Sequence, residues 1–128
     1  MQRLGFACIA GLVMLPGTAL AQNYNVVSGH STRVYYTYAT NPDCTSIGQI
    51  VVRLTQPPQH GRVTIRNGSL FPNFPASNVR NVCNGRRVPG VEAYYVSEPA
   101  YTGSDSAAFE AIYPHGEFRQ YTAYITVR

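Results

Sequence analysis

The amino-acid sequence predicts an all-β fold, a sandwich or barrel, and three observations carry that expectation. Beyond residue 21, apolar residues alternate with polar ones, turn-forming residues recur at short intervals, and no stretch repeats its apolar residues at helical spacing. Alternation sends successive side chains to opposite faces of a sheet, one packed and the other in water.

The strands follow in order. Tyr24 to Val27 is a short first strand, and Arg33 to Tyr38, dense in β-branched and aromatic residues, is a second. Asn41-Pro42-Asp43 makes a turn. From Gln49 to Thr55 the pattern is regular, with Ile50, Val52 and Leu54 to one side and Val51, Arg53 and Thr55 to the other. Pro57-Pro58 stops it, since proline has no N–H for a ladder. Arg62 to Arg66 places Val63 and Ile65 inward, and Asn67-Gly68 then has the signature of a tight turn. Pro72 to Pro89 lacks alternation and reads as a long loop, of the kind that is functional or tied down. Val91 to Val96, Ala107 to Tyr113 and Phe118 to Val127 complete about seven strands, with His115-Gly116 at the hairpin between the last two. In the final strand Tyr121, Ala123, Ile125 and Val127 face in, while Tyr124 faces out.

Residues 1–21 have a different pattern. Arg3 is followed by an apolar run from Leu4 to Leu15, a break at Pro16-Gly17 and the small-x-small triplet Ala19-Leu20-Ala21. That order predicts a cleavable signal peptide, with 22–128 as one mature domain, periplasmic or extracellular. The apolar run is shorter than the roughly 20 residues of a membrane span, so no anchor is expected after cleavage. Cleavage removes both methionines and Cys8, leaving Cys44 and Cys83 in an oxidising compartment. A disulfide between them is expected, tying the long loop to the start of the Gln49 strand.

The formal net charge is +4, from ten arginines and six acids that stand singly along the chain. A nucleic-acid surface needs a denser basic stripe, so that partner is not expected. Weak attraction to an anionic surface does fit.

Four motifs stand out in the second half: Pro58-Gln59-His60-Gly61-Arg62-Val63; Tyr95, six residues before Tyr101; the run Tyr101-Thr102-Gly103-Ser104-Asp105-Ser106-Ala107-Ala108-Phe109; and Ile125-Thr126-Val127. Together they resemble the bacterial cadherin-like and Ig-like (immunoglobulin-fold) domains of secreted and surface proteins, here in single-domain form. The resemblance implies an antiparallel β-sandwich of about seven strands. It also implies turns at Gly61 and Gly103, loop hydrogen bonds from Asp105 and Ser106, and Ala107 and Phe109 in the core. The acidic clusters that hold calcium in cadherins have no counterpart, so no calcium site is expected.

No motif points to catalysis. The histidines are His30, His60 and His115, and a metal or hydrolytic site shared by the turn residues His60 and His115 is the alternative reading. There is no G-x-S-x-G elbow and no placed pair of carboxylates. Neither a catalytic residue, a metal nor a cofactor is expected. Ten tyrosines and no tryptophan remain to be explained. Tyr35-Tyr36 and Tyr94-Tyr95 are adjacent, so one of each pair must face out. The expected binding face is Tyr35, Arg53, Arg62, Arg66, Arg86, Arg87, Tyr94 and Tyr124, for an unknown protein or an anionic envelope polymer. The functional expectation is an exported, non-catalytic module that binds such a partner or serves a structural role.

Overall fold

The computed structural model describes residues 19–128. Seven strands make up the chain: β1 (Leu20–Val26), β2 (Thr32–Tyr38), β3 (Val51–Gln56), β4 (Gly61–Leu70), β5 (Val88–Ser97), β6 (Gly103–Ile112) and β7 (Phe118–Val127). They form two sheets, with strand orders β1-β7-β6-β3 and β2-β5-β4. The fold is the all-β sandwich that alternation predicted. The expected signal peptide, residues 1–21, lies outside the described residues except for its last three, and of these Leu20 and Ala21 begin β1.

The core forms because each long strand turns alternate residues inward. Val34, Tyr35, Val91, Ala93 and Tyr95 come from one sheet, and Ala107, Phe109, Ala111, Ala123, Ile125 and Val127 from the other. Four of these are fully buried alanines. They leave room for the large rings, so that Tyr35 stacks on Phe109 at 5.2 Å across the sandwich. Large and small residues thus interdigitate between the layers.

Local signals fail at four places, each for a tertiary reason. β1 runs parallel to β7, from Leu20 opposite Tyr121 to Val26 opposite Val127, so the sandwich is not purely antiparallel. Alternation fixes the face a residue takes but not its neighbour. Asn67-Gly68 makes no turn: β4 continues to Leu70, with Asn67 opposite Val91 and Gly68 opposite Gly90. A ten-residue ladder outweighs the local preference of two residues. The long loop contains helix after all, a 3-10 turn at Val79–Gly85 whose cap, Asn78, accepts from the Arg80 N–H. The disulfide joins Cys83 of that turn to Cys44, with Cα atoms 5.4 Å apart. Cys44 belongs to the β2–β3 connection, so the tie reaches that connection rather than the start of β3.

Candidate functional site: a tyrosine-lined cleft

The motif residues converge at one end of the sandwich, where they close a carboxylate rather than open a site. Asp105 accepts from the Tyr95 hydroxyl at 2.7 Å and from the N–H groups of Gln59, His60 and Ser106 at 2.9, 3.1 and 2.9 Å. Burial raises its pKa, but these four bonds outweigh burial and hold the carboxyl below its usual range. His60 stacks on Tyr101 with ring centres 4.1 Å apart, and the Tyr101 hydroxyl donates to the Ser104 carbonyl. Gly61 is obligatory here: a Cβ would sit 2.5 Å from the Val96 carbonyl oxygen and 2.7 Å from the Tyr95 ring. The Ser106 N–H closes its own loop onto Asp105, as the resemblance implied. The bond from Tyr95 across to Asp105 is the unforeseen part.

The histidines do not meet. His60 bonds to Asp105 near the start of β6, whereas His115 lies beyond the end of that strand. The intervening strand separates them by more than about 20 Å, so one chain offers no shared site. Among the described residues no three His, Cys, Asp or Glu side chains gather as metal ligands.

The expected binding face divides. Tyr35 points inward and is buried, because a register shift between Arg33 and Tyr35 leaves Tyr36 as the outward member of the pair. Arg62, Arg66 and Tyr94 lie on the outer face of the three-stranded sheet, where the Arg66 guanidinium covers the Tyr94 ring at 4.1 Å. Arg33 likewise covers Tyr36 at 4.3 Å and pairs with Glu92 at 3.0 Å. Arg53 and Tyr124 are on the outer face of the other sheet. Arg87 lies over Phe71 at 4.8 Å, and Arg86 ends the 3-10 turn. These eight residues form no single surface.

A site does form on the flank where β1 edges one sheet and β2 the other. A cleft of about 560 Å³ lies there, a size suited to small ligands and short peptides. Six of the ten tyrosines line it: Tyr24, Tyr35, Tyr36, Tyr38, Tyr113 and Tyr121. Their hydroxyls bond to one another or to threonine, Tyr24 with Tyr121 at 2.6 Å and Thr37 with Tyr113 at 2.6 Å. The Tyr24–Tyr121 pair also points at Gln22 Oε1, at 3.4 and 3.5 Å, whereas the Tyr38 hydroxyl only accepts, from the Asn73 N–H, and keeps its hydrogen. Burial, and next the neighbouring Tyr113, pushes the Tyr35 phenol far above its ordinary range; burial and then Tyr24 do the same for Tyr121. The floor is therefore neutral. Its rings are engaged in the core, Tyr35 with Phe109 and also with Tyr121 at 4.8 Å, so the cleft meets hydroxyl tips rather than ring faces.

The β4–β5 loop builds one wall. The Asn73 N–H donates to the Tyr38 hydroxyl at 2.8 Å, and the Phe74 ring meets Tyr38 edge-on at 5.1 Å. Asn84 holds the Phe74 backbone by two bonds, and Arg80 Nε donates to the Thr40 carbonyl at 2.7 Å. The Cys44–Cys83 disulfide anchors this wall. At the far end stand His115, Glu117 and Arg119 of the β6–β7 hairpin. Hydrogen bonds from His115 and then Arg119 hold the exposed Glu117 carboxyl below its usual range.

Of the cleft tyrosines, only Tyr35 belonged to the expected binding face, and it serves as floor rather than as an outward contact. The one sequence signal for the cleft was the excess of tyrosine. No family model and no curated protein matches the chain. The solution structure of Amebosin aligns with 88% of this chain and 100% of its own, at 10% identity and a TM-score of 0.41, too low to carry an argument.

Proposed function

We propose that this chain is an exported, non-catalytic module of the immunoglobulin-like kind, periplasmic or extracellular, which holds its partner in the tyrosine-lined cleft. The observation behind this reading is the convergence of six tyrosines with Arg80 and Arg119 on one open flank. Neutral hydroxyls, amides and two guanidinium groups suit recognition of a polar or anionic partner, a protein or an envelope polymer. The immunoglobulin-like reading draws on the motif residues that meet at Asp105, and export on the leader pattern and the disulfide.

The test compares three proteins immobilised in oxidised form and exposed to envelope extract. The unaltered protein should retain a component that the Tyr36→Ala, Arg80→Ala double variant releases. An Arg53→Ala, Tyr124→Ala variant, altered on the far sheet, should retain it. Equal retention by all three overturns the cleft as the binding site.

A further inference from the structure

Resting on that reading, we infer that the occupant is an extended peptide, added as a strand to the outer edge of β2. Six consecutive residues, Tyr35 to Thr40, line the cleft. A strand turns only alternate side chains to one side, so consecutive lining means that the main-chain edge itself borders the space. On the opposite wall β1 contributes only alternate residues, Gln22 and Tyr24, with Leu20 before the expected cleavage point. β2 is an edge strand, paired with β5 alone. At Ala39 and Thr40 the chain pairs with its own return segment, through Thr40 opposite Ser46 and the Ile47 N–H on the Ala39 carbonyl. From Tyr35 to Tyr38 the outer edge has no backbone partner among the described residues. Such an edge is a template for another strand.

The ring geometry favours peptide over sugar. A saccharide lays its C–H face on an open aromatic ring, but here the rings are taken. Tyr35 and Tyr121 stack within the core, Arg33 covers Tyr36, and Arg119 lies over Tyr113 at 5.3 Å. Among the described residues the Tyr36 and Tyr38 hydroxyls donate to no partner, which suits the carbonyl groups of a peptide backbone. Of the two guanidinium groups that line the cleft, Arg119 pairs with Glu117, whereas Arg80 bonds the Thr40 carbonyl and has no carboxylate partner among the described residues, so a peptide bearing an acidic side chain is the better fit.

A phage-displayed library of random linear peptides, selected on the oxidised protein, supplies the probes. Selected peptides are then remade with an N-methyl group on each backbone amide in turn. Strand addition predicts alternation: about tenfold weaker binding at every second amide and little change between, because alternate N–H groups face β2. Uniform sensitivity, uniform tolerance or no selected peptide overturns the proposal. An oligosaccharide whose binding is abolished in the Tyr36→Ala, Arg80→Ala variant overturns the peptide and leaves the cleft standing. A peptide that binds that variant at full strength overturns the cleft as well. Circular dichroism of the variant confirms that it is folded.

Discussion

At one end of the sandwich the Tyr95 hydroxyl donates to Asp105, and three backbone N–H groups fill the rest of that carboxylate. Along the open flank, Tyr24 bonds to Tyr121 and Thr37 to Tyr113, but among the described residues the Tyr36 and Tyr38 hydroxyls donate to no partner. Both regions join distant strands through buried or half-buried tyrosine. In the first the carboxylate is filled and the Tyr95 and Tyr101 hydroxyls both donate within the fold, and a Cβ at Gly61 would already collide with Tyr95. In the second the network ends at a space. Saturation marks a structural cluster, and spare hydrogen-bonding capacity beside an open edge marks a place for a ligand.

Five experiments break or sharpen this contrast, the largest effect first. Replacing Cys44 and Cys83 by serine removes a cross-link between residues 39 apart and should cost about 4 kcal/mol in denaturant unfolding. It should also lower affinity at the cleft, whose wall it anchors, while leaving the Asp105 end formed. Asp105→Ala comes next. It strands the Tyr95 hydroxyl and three N–H groups and should cost about 3 kcal/mol. The same carboxyl sets a pH dependence. Its pKa is lower folded than unfolded, so its contribution is fully present above the unfolded value, near pH 4, and is lost as pH falls through the lower folded value. Thermal melting between about pH 5 and 2 should therefore be flatter in Asp105→Asn than in the parent protein.

Tyr113→Phe breaks one hydroxyl pair in the cleft and should cost about 1 kcal/mol or less in the same unfolding assay. A greater loss than for Asp105→Ala would reverse the assignment of the two regions. Tyr124→Ala alters an exposed residue on the far sheet and should change stability by no more than about 0.5 kcal/mol.

The sequence was legible where a signal is local and the core answers it. The alternation of β7, the inward Val63 and Ile65, the burial of Ala107 and Phe109 and the Cys44–Cys83 bond all appear in the structure. It was misleading where distant pairing decides. Gly68 extends a strand because Gly90 lies opposite, and Tyr35 turns inward because a register shift precedes it. The cleft draws on β1, β2, two loops and the β6–β7 hairpin, segments that no window along the chain brings together. Arg80 faces the cleft only because a 3-10 turn interrupts a stretch rich in proline and asparagine.

The parallel pairing of β1 with β7 also governs how the molecule assembles. The first described strand has its sole neighbour at the opposite end of the chain, Val26 opposite Val127. A chain made or threaded from its N-terminus has nowhere to seat β1 until Phe118–Val127 arrive. Closing so long a loop is entropically slow, so acquisition of the native state waits on β7. A fragment ending before Phe118 loses β7 and leaves β1 and β6 unjoined. The sandwich is in this sense fastened by its first and last described strands.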